Sequence, residues 1–152
     1  MAFKHSTKDE ELKEYLNGFD YFWTISSNVG YGYPNKPLDV LLVQFFLNAI
    51  DTHLTGGYPY YYGDNYIEED GKFGGKTWAR IKQFQLANGA VADGMVSAAR
   101  GQELRSKKQR RPLTIYALNS WYSYERRQFY RDLKMDKDLP YDLVNQFEVP
   151  DF

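Results

Sequence analysis

The sequence contains no cysteine and only two histidines, His5 and His53. Disulfide bonds and thiolate metal sites are therefore excluded. A catalytic zinc site uses three protein ligands, commonly several histidines, so two isolated histidines do not predict a metallopeptidase centre. We expect neither a metal nor another cofactor.

A charge excess of one sign and a long apolar run are also missing. The 152 residues carry 19 Lys and Arg against 20 Asp and Glu, a formal net charge of −1. This balance offers no net attraction to nucleic acid or to an anionic membrane. The longest apolar run, 40–47, is interrupted by Gln44 and is far shorter than the ~20 residues of a membrane span. We expect no nucleic-acid partner and no membrane span.

The most informative stretch is 70–89, DGKFGGKTWARIKQFQLANG. It opens with an Asp-Gly turn signal, and a Gly-Gly pair follows at 74–75. Its apolar residues then recur at helical spacing, at Trp78, Ile81 and Phe84, and Gly89 stands where a C-terminal cap is expected. The pattern predicts a glycine loop followed by a helix of about 12–14 residues.

A related arrangement occurs 41 positions earlier, so that Gly30 aligns with Gly71 and Gln44 with Gln85. It predicts a helix from Pro37 to about Asp51 that is apolar almost all round, as expected of the buried centre of a domain. Two such copies indicate a pseudo-twofold helical domain.

Several polar and glycine positions of this repeat have a structural interpretation. Gln44 and Gln85 point to the core, where each amide is expected to bind the backbone of a glycine loop; contact with ligand amides is the alternative. Asp39 and Arg80 occupy equivalent positions, and we expect them to pair. Gly71 and Gly94 are expected to have positive φ angles.

The segment 70–94, DGKFGGKTWARIKQFQLANGAVADG, resembles the small three-helix peptidoglycan-binding domain found on bacterial cell-wall enzymes. The matching residues are Asp70, Gly71, Gly74, Thr77, Ile81, Phe84, Gln85, Asp93 and Gly94. The segment VGYGYPNKPLDVLLVQFFLN matches the family's first helix, so the resemblance covers about 29–104. It implies non-catalytic binding of peptidoglycan.

We therefore expect an all-α protein with a three-helix peptidoglycan-binding-like core, a pseudo-twofold repeat and flanking helices. The expected domain at 29–104 ends in a short helix over 96–104. Residues 1–28 form a helical extension that begins with a capping box at Thr7 and Glu10. Residues 105–112, RSKKQRRP, form a basic linker. Residues 113–152 form a helix to about Lys134 and a mostly irregular acidic tail.

The loops beside the two predicted helices form the expected ligand site, because sugar recognition uses aromatic faces together with fixed polar groups. The residues are Tyr31, Tyr33 and Asn35 in the first loop and Lys72, Lys76 and Trp78 in the second. Tyr60, Tyr61 and Tyr62 extend the site from an insertion at 55–69, which is also placed to cover the family's groove. The alternative is that these tyrosines cap the core or dock the extra helices.

No enzyme is expected. The carboxylate pairs Glu10/Glu11 and Glu68/Glu69 are typical of a solvated surface and not of a glycosidase pair held in an apolar pocket. The acidic residues of 64–70 lack the spacing of a calcium loop.

A second function remains open, in which the same fold serves as a protein–protein module, an accessory or structural component of a phage or contractile secretion system. The aromatic C-terminal helix, with Trp121, Tyr122, Tyr124, Phe129 and Tyr130, is the expected partner surface. The first 17 residues do not resemble a secretory signal. We expect synthesis in the bacterial cytoplasm and action at the periplasm or cell wall after non-standard delivery.

Overall fold

The computed structural model describes residues 3–50 and 66–147, and these residues are mostly helical. Their elements in chain order are β1 (Phe3–Ser6), α1 (Glu10–Tyr15), β2 (Tyr21–Thr24), α2 (Pro37–Ala49), α3 (Gly75–Asn88), α4 (Thr114–Glu125), α5 (Arg127–Tyr130), a 3-10 turn (Leu133–Met135) and α6 (Tyr141–Phe147). None of these helices combines the length and the apolar composition that a membrane crossing needs.

Helix α2 is the centre of the fold. Pro37 occupies its first turn, where the missing N–H costs nothing, and every residue from Asp39 to Leu47 is buried. The helix packs against α3, α4 and α6. One cluster of buried apolar side chains runs from Leu12 in α1 to Leu143 in α6. The residues before and after the predicted domain therefore share its core.

Helices α2 and α3 confirm the two predicted helices. The second begins at Gly75, ends at Asn88 and is capped by Gly89, whose φ of 67° is left-handed. Glycine adopts this conformation without the Cβ strain of other residues, which explains why the helix ends there.

The all-α prediction is wrong for 3–6 and 21–24, which lie in the expected helical extension but form strands. Strands β1 and β2 form an antiparallel pair in which Phe3 faces Thr24 and Ser6 faces Tyr21. The side chain of Asn119 in α4 continues the pairing: Trp23 N donates to Asn119 Oδ1 over 2.7 Å, and Asn119 Nδ2 donates to the Trp23 carbonyl over 2.8 Å. The backbone of β2 is thus satisfied on both sides.

The predicted capping box is wrong by two residues. Asp9 is the N-cap of α1, and its Oδ1 accepts a hydrogen bond of 2.8 Å from Leu12 N. Thr7 instead donates to the Gly101 carbonyl over 2.6 Å and accepts from Asp9 N over 3.1 Å. Its hydroxyl therefore ties the start of the chain to the segment before α4.

The predicted helix over 96–104 is not present. Val96 forms an isolated antiparallel bridge with Val29, with hydrogen bonds of 3.0 and 2.8 Å in the two directions. Gly101 has a φ of +76°, and a Cβ there would lie 2.9 Å from the Ser6 carbonyl oxygen. A right-handed helix needs negative φ angles throughout, so this segment cannot be one.

The single helix predicted from Leu113 to Lys134 is broken into α4, α5 and a 3-10 turn. The break falls at Arg126, with φ −122° and ψ 48°. Its guanidinium Nη1 contacts Asp136 Oδ2 at 2.7 Å and Asp138 Oδ2 at 3.1 Å. Tyr122 OH also donates to Asp136 Oδ2, over 2.7 Å. These contacts hold the following segment back against α4, and α6 then forms where an irregular tail was expected.

Candidate functional site

Four aromatic residues, from two loops and the start of α3, form a surface that we call the aromatic patch: Tyr31, Tyr33, Phe73 and Trp78, of which the last two are half-buried. Tyr31 and Tyr33 are 61% and 42% exposed. The Tyr31 ring meets Phe73 edge-on with centroids 5.0 Å apart, and its centroid lies 6.2 Å from that of Trp78. The structure therefore brings together the aromatic residues predicted from the first loop (30–36) and from the start of α3.

The first loop is held by Asn35. Its Oδ1 accepts a hydrogen bond of 2.8 Å from Gly30 N, and its Nδ2 donates to the carbonyls of Gly30 and Tyr33 over 2.8 and 3.0 Å. Asn35 was predicted as a ligand residue. Both ends of its amide are used within the loop, so Asn35 holds the backbone of Gly30 and Tyr33 in place.

The indole of Trp78 packs against the Asp93–Gly94 turn. Gly94 has a φ of +73°, and a Cβ there would lie only 2.2 Å from the indole Nε1. On the ring, Lys82 Nζ lies 5.2 Å from the centroid, within the range of a cation–π contact. Phe73, Lys82 and Gly94 were not predicted as parts of the site, because only the fold places them beside Trp78.

The second loop (70–75) is held by the buried side chain of Gln44. Its Oε1 accepts hydrogen bonds from Asp70 N and Gly71 N over 3.1 and 2.9 Å. Its Nε2 lies 3.1 Å from each of three acceptors, Asp70 Oδ1, the Lys72 carbonyl and Thr77 Oγ1. Gly71 has a φ of +70°, and a Cβ there would lie 2.9 Å from the Pro37 carbonyl oxygen.

Gln85 binds the Asp93–Gly94 turn in the same way. Its Oε1 accepts from Gly94 N over 2.8 Å. Its Nε2 contacts Asp93 Oδ1, the Met95 carbonyl and Thr114 Oγ1 at 3.2, 2.9 and 2.8 Å. Each glutamine thus combines one Asp-Gly turn with one threonine hydroxyl, and both amides are occupied by the protein itself.

Asp39 and Arg80 both make hydrogen bonds to backbone groups. Asp39 accepts hydrogen bonds from the backbone N–H and hydroxyl groups of both Ser26 and Ser27, over 3.0–3.3 Å. Arg80 Nη2 donates to the Leu47 carbonyl over 3.2 Å. Both side chains are buried. Their direct pairing stays a prediction.

The predicted lysines lie beside the aromatic patch. Lys72 and Lys76 are exposed and line a cleft that includes Phe73 of the patch and the carboxylates of Glu68 and Asp70. The hydrogen bond from Lys72 N, and secondarily the one from Gln44, hold the pKa of Asp70 below its ordinary value. Tyr60, Tyr61 and Tyr62 lie outside the described residues.

Carboxylates near the site are engaged in holding the structure. Glu69 Oε2 accepts a hydrogen bond of 2.8 Å from Asn48 Nδ2, and burial raises the pKa of Glu69. Asn48 also binds both backbone groups of Ile67, over 2.8 and 3.0 Å. Within 3–50 and 66–147, no group of three or more His, Asp or Glu side chains is placed to hold a metal ion.

Comparison with known families gives one match, to the family model described as "Putative peptidoglycan binding domain", over residues 58–99. The match supports a peptidoglycan-binding domain in this part of the chain. The chain extends beyond it on both sides. The match contains the second loop, α3 and the Asp93–Gly94 turn, whereas the first loop and α2 lie outside it. No curated protein and no solved structure matches the chain significantly.

Proposed function

We propose that the protein binds bacterial cell-wall peptidoglycan through the aromatic patch, without catalysing a reaction on it. The observation that carries this proposal is the meeting of Tyr31 with Trp78, at a centroid distance of 6.2 Å. Trp78 belongs to the segment that matches the peptidoglycan-binding family, and Tyr31 lies outside it. The site therefore uses the family segment together with the preceding part of the chain.

The chemistry of the patch suits a saccharide that carries charged or amide groups. Aromatic faces pack against the apolar C–H faces of sugar rings. The exposed ammonium groups of Lys72 and Lys76 can donate to carboxylates and amides of attached peptides. Asn35 holds the first loop, Gln44 holds the second, and Gln85 holds the Asp93–Gly94 turn beside Trp78, so little loop ordering is left to oppose binding.

A pseudo-twofold core is part of this proposal. The side chain of Gln44 in α2 holds the Asp70–Gly71 turn, and that of Gln85 in α3 holds the Asp93–Gly94 turn. The matching contacts support two related halves within 29–104. In this arrangement each core helix fixes the turn that follows it, and the second of these turns lies against Trp78.

The carboxylates beside the patch support binding without catalysis. Asp70 Oδ1 accepts from Lys72 N over 2.9 Å, and Asp93 Oδ1 accepts from Met95 N over 3.0 Å. Each also contacts a glutamine amide. The Oδ1 atoms of both carboxylates are therefore used to hold their own turns, which does not suit a general acid or base.

A protein partner is the second candidate, in keeping with an accessory or structural role in a phage or contractile secretion system. It is favoured by exposed apolar residues in the C-terminal segment. Tyr124 is 68% exposed and meets Trp121 edge-on at 6.1 Å, and Tyr141 is 75% exposed. The exposed tyrosines of the C-terminal segment would bind a partner protein. The aromatic patch would instead bind peptidoglycan once the protein has been delivered to the cell wall.

Purified sacculi test the proposal. Wild-type protein is incubated with sacculi, and both the pelleted protein and the released soluble fragments are measured. We expect retention without release, loss of retention in Trp78→Ala, and unchanged retention in Leu86→Ala, which removes another exposed side chain of α3. Release of soluble fragments would show an enzyme instead, and absence of retention would favour the protein partner.

A further inference from the structure

The segment 105–112 has the densest positive charge of the chain. Five of the 19 Lys and Arg residues fall within these eight positions, and no Asp or Glu does. The cationic residues are Arg105, Lys107, Lys108, Arg110 and Arg111, and all of them are exposed. The remainder of the chain is therefore acidic on balance.

The structure folds this segment into a short loop closed at its base, which we call the basic hairpin. An antiparallel bridge joins Arg105 to Pro112, and Leu113 N donates to the Leu104 carbonyl over 3.0 Å. Inside the loop, Ser106 N donates to the Arg111 carbonyl over 2.8 Å, and Arg110 N donates to the Ser106 carbonyl over 2.9 Å. The cations are thus presented on a defined backbone.

One of the five cations has a carboxylate partner. Arg105 Nε lies 3.2 Å from Glu11 Oε1. Among the described residues, no ion pair is formed by Lys107, Lys108, Arg110 or Arg111. Four exposed cations in five positions repel one another, and an external anion would relieve that repulsion.

A cleft lies between the basic hairpin and the segment 91–97. On the hairpin side it is lined by Ser106, Lys108 and Gln109, and on the other side by Asp93 and Met95. Met95 lies against Gly30 in the first loop, 3.2 Å from where a Cβ of that glycine would be. The neighbouring Gly94 lies against the indole of Trp78. The segment 91–97 thus borders both the cleft and the aromatic patch, and an extended ligand that crosses it would contact both.

We propose that the basic hairpin binds carboxylate groups on the peptides of peptidoglycan while the aromatic patch holds the sugar. This inference rests on the proposed function and assigns the hairpin a separate part of the ligand. Guanidinium and ammonium groups both bind carboxylates, and arginine can do so with two parallel hydrogen bonds. Because the cations are exposed, their contribution depends on ionic strength.

The test compares two variants with equal loss of charge. One is Lys107→Gln/Lys108→Gln/Arg111→Gln; the control is Lys8→Gln/Lys134→Gln/Lys137→Gln, at exposed positions on other parts of the chain. Binding to purified sacculi is measured as supplied, after amidation of their carboxylates, and after hydrofluoric acid removal of phosphodiester polymers. Trp78→Ala reports on the patch separately.

We expect the hairpin variant to bind untreated sacculi roughly tenfold more weakly than the control at low ionic strength, from three exposed charge contacts. The difference should vanish at about 1 M salt, where the Debye length is ~3 Å. Amidation should weaken the wild type to the level of the hairpin variant, and phosphodiester removal should leave the difference intact.

Equal binding of the hairpin and control variants, with Trp78→Ala still defective, would overturn this inference and leave the proposed function standing. A difference that survives amidation and disappears with the phosphodiester polymers would assign the hairpin to those polymers and overturn it too. Tighter binding of the wild type to an oligonucleotide than to sacculi would also contradict it. Failure of the wild type to bind any sacculi would overturn both proposals.

Discussion

Gln85 Oε1 accepts a hydrogen bond of 2.8 Å from the backbone N–H of Gly94. Through this bond a buried side chain of α3 fixes the turn on which the indole of Trp78 lies. The core of the protein and its exposed aromatic patch are therefore joined by one amide, and the same arrangement recurs between Gln44 and Gly71.

Replacement of Gln85 by Leu is expected to lower the free energy of unfolding by about 2–4 kcal/mol. The substitution keeps the size of the side chain but leaves the buried Gly94 N–H and Thr114 hydroxyl without their present partner, and each orphaned group costs about 1–3 kcal/mol. Urea unfolding measures the loss. Gln83→Leu, at an exposed position of the same helix, is the control. An equal loss of stability in the two variants would show that the hydrogen bonds of Gln85 do not stabilise the Asp93–Gly94 turn.

Replacement of Gly94 by Ala is expected to destabilise the fold and to displace Trp78. Its new Cβ would lie 2.2 Å from the indole Nε1. Gly89→Ala is a matched control, because Gly89 also has a positive φ, of 67°, but has nothing within 4 Å of a Cβ. The control should cost about 1 kcal/mol from backbone strain alone.

The Gly94 variant should be less stable than that control, by more than about 1 kcal/mol in urea unfolding, and should bind sacculi more weakly. If both alanine variants lose the same stability and retain the same binding, Gly94 does not position the indole.

Replacement of Asn119 by Ala is expected to open β2. The side chain pairs with both backbone groups of Trp23 and also accepts a hydrogen bond of 2.7 Å from Tyr130 OH. Removal leaves several buried polar groups unpaired, at about 1–3 kcal/mol each. In the variant, the backbone amide of Trp23 should exchange its hydrogen faster than in the wild type. The exchange rate of the Phe84 amide in α3 should change only as far as the global stability does. Unchanged protection of Trp23 would contradict the strand-like role of Asn119.

The pH dependence of stability should carry a contribution from Glu69. Burial raises the pKa of this carboxyl group above its ordinary value of 4.5, and the Asn48 hydrogen bond opposes the shift in part. The folded state then holds the proton more tightly than the unfolded state, so this contribution to stability is present below pH 4.5 and is lost as the pH rises through the folded pKa.

The Glu69→Gln variant has no proton to lose at this position. Its free energy of unfolding should therefore rise relative to that of the wild type as the pH goes from acidic to neutral. Denaturant unfolding across this range measures the trend, with exposed Glu68→Gln as the control. A relative stability of Glu69→Gln that falls toward neutral pH would show that the shift has the opposite sign.

The sequence predicted the two core helices because their signals are local. Pro37 marks the start of α2, Gly89 marks the end of α3, and the apolar spacing between such signals is helical. Tyr31, Tyr33 and Trp78 of the patch were also found locally, since they lie just before α2 or at the start of α3, whereas Phe73 was missed. Their mutual contact depends on the fold.

The elements that were missed depend on distant partners. β2 is paired by the start of the chain and by Asn119, which lies 96 positions away from Trp23. The break at Arg126 depends on the carboxylates of Asp136 and Asp138. No local periodicity carries these contacts.

The binding isotherm of the protein on purified sacculi decides whether the aromatic patch binds peptidoglycan. We expect saturable binding that Trp78→Ala weakens at least tenfold, equivalent to the ~1.4 kcal/mol expected from loss of one aromatic contact, and that Leu86→Ala leaves unchanged. Identical isotherms for the wild type and Trp78→Ala, or no binding by the wild type, would contradict it.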